Sequence, residues 1–429
     1  MIDHLHPAEQ LLFMIQRIYR YGMTTTSGGN LSIRTASGQI WITPSGIDKG
    51  ALQVTDMVCV NPDSSIEGRH KPSSELPFHQ QIYQARPDLS AIVHAHPPAL
   101  VSFSIVRQVP DTRLLPNERK IVHRIGMAPY ALPGGLQLGE NIAAVFAQGI
   151  NSVMLENHGV VVGGRNLSEA FCVFETLDFC ARLEIKARRL ASPVRIADGS
   201  DETADHSIAA RLETYRSDSY SPFELERRQE LCAFVKRAYD QRLFSSTQGT
   251  FSQRLNEREF LITPYGVDRI YMEPEHLVKI SGGRAEEGKT PSQSVLFHQA
   301  IYQQQPHVDS IIVAHPPNIM AFAVTDVEFD SRTIPESYIL LRGVPKLPFD
   351  AIVHHPERAV AIFTPNTPIA IVKNNCVVVT GQGPLNTFDR LEVAEYSAKS
   401  ILAARALGGI VHIKDEEVQE LIRAFKLEE

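Results

Sequence analysis

The sequence repeats itself at long range, and that repetition limits the fold more than any other feature. Ile42-Thr43-Pro44-Ser45-Gly46 returns as Ile262-Thr263-Pro264-Tyr265-Gly266, 220 residues on. The stretch PSSELPFH from Pro72 returns as PSQSVLFH from Pro291, at an offset of 219. His96-Pro97-Pro98 returns at His315 with that same 219, and HGVVVGG at 158–164 becomes NCVVVTG at 375–381, an offset of 217. Near-constant spacing of this length describes a duplicated domain, not a solenoid, whose repeats run to about 20–50 residues. At 429 residues the chain also exceeds the roughly 250–300 at which a single core stops growing. Two tandem copies, 1–217 and 218–429, are expected. The polar stretch ADGSDETADHS at 197–207 reads as a loop ahead of a last helix of the first copy.

Each copy opens with apolar residues at three- and four-residue spacing, at 7–22 and 222–241, which predicts a helix. Short apolar runs then alternate with helical patterns, the signature of an α/β or α+β chain. Hydrophobic residues at 43% and charged residues at 21% are ordinary for a soluble globular protein. The net charge of −7 argues against a nucleic-acid surface, and the basic run RLEIKARRL at 182–190 alternates with apolar residues as a solvated helix face would. MIDHLHPAEQ lacks a basic segment followed by an apolar one, and no run reaches the roughly 18 apolar residues of a spanning helix. A cytoplasmic protein without membrane or nucleic-acid partners is expected. The five cysteines, with no CxxC pair and an odd count, are expected to be reduced and buried.

The stretch AIVHAHPP at 91–98 places His94 and His96 two apart in a β-type run, so both side chains would leave one face and could share a cation. His158, in VMLENHGVVVGG, sits at a tight turn between two β-type runs, with Gly159 free to take a positive φ. Three neutral imidazoles leave a fourth position open, as in a catalytic zinc site. The second copy serves as an internal control: His94 becomes Val313 and His158 becomes Asn375, and only His96 survives, as His315. His79, kept as His298, reads as structural.

Glu75 follows Ser73 and Ser74 at the start of a predicted helix, and it becomes Ser294 in the second copy, lost together with the ligands. A carboxylate beside a metal is suited to moving a proton. The hydroxyls of Ser73 and Ser74 at a helix start, SGGNLS at 27–32 and TPSG at 43–46 have the small residues and free amides of an anion pocket. Here too the second copy departs, with Asn30 to Thr250, Ser45 to Tyr265 and Ser74 to Gln293.

Taken in order, SGGNLSIR, ITPSGI, KPSSE, HAH and NHG resemble the class II aldolase/adducin family, in full over about 7–217 and as a divergent copy beyond. The resemblance implies an α/β/α sandwich around a largely antiparallel sheet in each copy, with one Zn2+ per chain held by His94, His96 and His158 of the first. It further implies Glu75 as acid/base and a phosphate pocket of Asn30, Ser45, Gly46, Ser73 and Ser74. The activity so implied is a lyase that cleaves or forms a C–C bond of a small ketose phosphate through an enediolate. Sugar-phosphate epimerase, dehydratase and keto-acid-phosphate decarboxylase are alternatives on the same scaffold, and an adducin-like scaffold without a metal is an alternative of another class. Tyr215 resembles the family's C-terminal tyrosine. Tyr338, 219 residues after Arg119, falls where the family's neighbour-contributed tyrosine would lie. A homodimer with its domains in pseudo-fourfold arrangement is the assembly this implies.

Overall fold

The computed structural model describes residues 2–196, 212–217, 219–352 and 356–427. The expected loop at 197–207 lies outside them. One compact unit comprises Met1–Thr112 and Asn117–Arg182, the other Arg113–Pro116 and Leu183–Glu429.

The first unit is built on an eight-stranded sheet of β1 (Asn30–Arg34), β2 (Ile40–Ile42), β3 (Val58–Val60), β4 (Ile66–Glu67), β5 (Ala91–Ala95), β6 (Ile125–Ala128), β7 (Ser152–Leu155) and β8 (Val160–Gly164). Their order is β4-β3-β2-β1-β5-β8-β7-β6, and every neighbouring pair is antiparallel except β6 with β7. Helix α1 (Pro7–Arg20) begins where predicted: Pro7 needs no donor in the first turn, and the Ala8 N–H donates to Nδ1 of His6 at 3.2 Å. The His6 ring also meets Trp41 edge-on, so α1 lies on the Trp41 face of β2. The other face carries Ile40, Ile42, Ile92 and Val161, buried against Phe78 and Ile82 of α2 (Leu76–Ala85) and Ile142 and Phe146 of the helix Leu136–Phe146. Helices on both faces of an antiparallel-rich sheet make the expected sandwich.

The second unit repeats this order. Its sheet runs β15-β16-β17-β14-β10-β11-β12-β13-β9, from β9 (Thr214–Tyr215), β10 (Thr250–Arg254), β11 (Glu259–Ile262), β12 (Val278–Ser281), β13 (Arg284–Glu286), β14 (Ser310–Ala314), β15 (Lys346–Leu347), β16 (Ile369–Val372) and β17 (Cys376–Gly381). The addition is β9, which pairs parallel to β13 at the edge. The segment expected to close the first copy with a helix is therefore, over 212–217, a short strand of the second sheet. Two residues of strand carry no periodicity by which sequence could reveal them.

Register places the key side chains alike in both units. Asn30 pairs with His94 across β1 and β5, and Thr250 pairs with Val313 across β10 and β14. The five cysteines are free, four of them buried. No helix among the described residues is long and apolar enough to cross a membrane.

Candidate metal and proton-transfer site

Strand β5 stops at Ala95 and His96 follows it directly, where Pro97 and Pro98 turn the chain into a helix. The Nε2 atoms of His94 and His96 lie 3.1 Å apart. His158 comes from the turn between β7 and β8, and one ring nitrogen from each of the three lies within 4.8 Å of the others. Nitrogens about 2.0–2.1 Å from one tetrahedral ion are about 3.4 Å from each other, so the set fits a divalent cation after small adjustments. His94 is fully buried, and its Nδ1 donates to the Val160 carbonyl at 2.9 Å. That bond leaves Nε2 facing the cluster, the arrangement that orients a metal-binding imidazole. Burial, reinforced by the neighbouring His94, lowers His96 to about 3 and His158 to about 4, so both rings are neutral, as a ligand must be.

The turn itself corrects one expectation. The positive φ belongs to Asn157 at 55°, and Gly159 is required for space instead. A Cβ there would stand 2.6 Å from Cδ2 of His96 and 2.7 Å from the Ala95 carbonyl.

Glu75 is the N-cap residue of α2, yet its side chain makes no capping bond. It turns into the cluster, with Oε2 3.1 Å from His94 Nε2 and Oε1 3.6 Å from His158 Nε2. Burial alone would raise its carboxyl, but His94, Asn30 and His158 outweigh that and hold it well below the usual carboxylate range. For His94 the balance is reciprocal: burial opposes its charge, and Glu75 with the Val160 carbonyl raises it above the ordinary histidine value.

Behind Glu75 runs a chain of buried donors that sequence reasoning missed. Asn30 Nδ2 donates to Glu75 Oε2 at 2.7 Å, and Asn30 Oδ1 is 2.5 Å from His79 Nε2. His79 Nδ1 is 2.7 Å from Ser32 Oγ, which is 2.8 Å from Tyr83 Oη. Because the amide nitrogen of Asn30 donates to Glu75, its Oδ1 must accept from His79, and burial lowers His79 to about 3, keeping it neutral. Its Nε2 therefore donates to Asn30 and its Nδ1 accepts from Ser32, so the donors from Ser32 onward point toward the carboxylate, while Tyr83 Oη also donates to the Ser32 carbonyl at 3.1 Å. Such a chain is polarised to favour the anion. Asn30, expected in the anion pocket, has both ends of its side chain in this chain.

The second unit keeps the back of the chain and loses its front. Ser252 Oγ lies 2.7 Å from both His298 Nδ1 and Tyr302 Oη. With Thr250 in place of Asn30, His298 Nε2 has no partner among the described residues, and Thr250 Oγ1 turns to Ser292 Oγ at 2.6 Å. Retention of histidine in both copies is the signal that was available for His79, but it also fits a packing role.

The expected anion residues converge as well. An isolated antiparallel bridge between Pro44 and Pro72 sets the 43–46 turn beside the 71–74 segment. Gly46 has a φ of 72°, and Ser45 and Ser74 are exposed. Ser73 is buried, and its Oγ accepts from the Glu75 N–H at 3.3 Å. The structure does not bring the two tyrosines into this cluster. Tyr215 lies on β9, its buried Oη has no partner among the described residues, and burial with Glu286 pushes it above the ordinary tyrosine value. Tyr338 is half-buried in the helix Pro335–Leu341. The helices Pro116–Val122 and Pro335–Leu341 both begin at a proline and run for seven residues, so Arg119 and Tyr338 hold the same position in the two copies.

The model for the class II aldolase and adducin N-terminal domain matches residues 9–185 and, again, 229–402. This chain belongs to the class II aldolase and adducin family. Among its relatives, the 5-deoxy-D-ribulose 1-phosphate aldolase of Bacillus thuringiensis serovar kurstaki is 32% identical over 217 residues, 48% of this chain and 95% of the relative. The 3-oxo-tetronate 4-phosphate decarboxylase of Haemophilus influenzae is 32% identical over 180 residues, 41% of this chain and 85% of the relative. An L-fuculose phosphate aldolase of Methanococcus maripaludis is 36% identical over 160 residues, 37% of this chain and 84% of the relative. Class II aldolase relatives of this size correspond to one of the two copies.

Proposed function

We propose that the first copy, 1–217, is a zinc-dependent lyase that cleaves or forms a C–C bond in a small ketose phosphate, and that the second, 218–429, is a fold-keeping partner without a metal. The observation that carries this reading is Glu75, held at the end of its donor chain against three converging imidazoles. A cation held by His94, His96 and His158 would supply electrophilic stabilisation of the negative charge that develops on substrate oxygens. Glu75 takes the proton from the carbon that is to form the new bond, and returns it to that carbon in cleavage. Asn30 and His79 keep the carboxylate ionised and aimed. Ser45, Gly46, Ser73 and Ser74 grip the phosphate and so fix the reacting carbon.

Relatives of similar identity carry out aldol and decarboxylation chemistry, so the test must separate the two. Offered 5-deoxy-D-ribulose 1-phosphate, L-fuculose 1-phosphate and 3-oxo-tetronate 4-phosphate, the purified protein is expected to release aldehyde from a ketose 1-phosphate and to ignore the unphosphorylated sugar. Release of carbon dioxide from the keto acid would select decarboxylation instead. Equal handling of the unphosphorylated sugar would reject the anion pocket, and no turnover by metal-loaded protein would favour a scaffold.

The same reading includes a cytoplasmic homodimer whose domains alternate in a pseudo-fourfold ring, with Tyr215 or Tyr338 as the second proton donor. Its support is the common position of Arg119 and Tyr338 in the two copies. Tyr338→Phe is expected to cut turnover while the mass in solution stays that of a dimer. A monomeric wild type, or a fully active Phe variant, would remove that role.

A further inference from the structure

Lys49 is 2% exposed and lies directly behind the 43–46 turn. Its backbone N–H donates to the Thr26 carbonyl at 2.9 Å and its Nζ to the Pro44 carbonyl at 2.7 Å, so it ties the turn to the residue just before the glycine-rich segment at 27–32. The ammonium carries three donors, and this is its one acceptor among the described residues. No carboxylate pairs with it there. A cation buried without a counter-charge is costly, and burial indeed lowers Lys49 to about 8, which still leaves it largely charged at neutral pH.

The second copy shows what a satisfied cation looks like in this slot. Arg269 makes the same backbone bond, to Ser246 at 2.9 Å, and Nη1 reaches the matching Pro264 carbonyl at 3.0 Å. Nε, Nη1 and Nη2 also donate to the carbonyls of Gln248, Gly249 and Val267. This is also the copy in which Tyr265 and Gln293 replace Ser45 and Ser74. A cation bonded to four backbone carbonyls thus accompanies the altered turn, and one bonded to a single carbonyl accompanies the Ser-Gly turn.

We propose that Lys49 is the counter-charge for the substrate's phosphate, a positioning residue that holds the 43–46 turn from behind and makes it electropositive. The inference rests on the phosphate-pocket reading above. Inorganic phosphate is the probe, with its affinity measured by calorimetry on the metal-loaded full chain for wild type, Ser74→Ala, Lys49→Met and Lys49→Arg. Metal content and melting temperature are followed for each, to tell a lost charge from a collapsed site. The expected result is that Lys49→Met keeps its metal and weakens phosphate binding by at least about 10-fold, while Lys49→Arg stays within about 3-fold, because one unscreened charge pair is worth more than a tenfold change. Wild-type affinity in Lys49→Met, with Ser74→Ala weakened, would overturn this role and leave the pocket standing. Equal loss in the Met and Arg variants would overturn it in favour of packing alone. A wild type that does not bind phosphate would overturn both readings.

Discussion

Glu75→Gln is expected to keep its metal and to lose about 10²–10⁴-fold in turnover, the usual contribution of a positioned acid/base. The amide fills the same space and can still meet Asn30 Oδ1 or Nδ2 after a flip, so the fold and the imidazole cluster should survive. It cannot carry the proton. Exchange of a substrate carbon-bound proton with solvent reports this step without requiring the full reaction. Unchanged exchange in the variant would dismiss Glu75 as the base, and loss of metal together with activity would recast it as a ligand.

His94→Ala is expected to have the other large effect. His94 is the most fully determined of the three imidazoles, buried, bonded through Nδ1 to Val160 and aligned by register with Asn30. Loss of an outer partner of a metal ligand alone costs about 10–100-fold in affinity, so loss of the ligand should cost more than that, and activity should go with the metal. His315→Ala is the matched control, since it removes the one histidine of this set that the second copy retains. It should leave metal content unchanged. A loss of metal in His315→Ala comparable to that in His94→Ala would place ligands in the wrong copy.

Much of this was legible from the duplication. Where a motif is repeated with its frame intact, each departure marks a residue freed from a task, and His94 to Val313, His158 to Asn375 and Glu75 to Ser294 departed together. The sheet order, repeated in both units, explains why the frame had to stay. The same logic hid His79. It is retained in the second copy as His298, where it still bonds Ser252, so retention looked like packing, although the front half of its chain had been lost. The neighbours of Asn30 in sequence point to a glycine-rich anion segment, whereas strand pairing turns its side chain toward Glu75 and His79. A glycine in a tight turn suggests a backbone angle, but the role of Gly159 depends on the approach of His96, a contact between segments more than sixty positions apart that no local pattern encodes. Lys49 carried no signal beyond its match to Arg269, because only burial and a count of its acceptors set it apart.

The central claim is that a single divalent metal is held by the first copy of a chain that contains two. Elemental analysis of the purified full-length protein after reconstitution with zinc tests it most directly. One equivalent per chain, lost in His94→Ala and kept in His315→Ala, is the predicted result. Two equivalents per chain, or none in the reconstituted wild type, would contradict it.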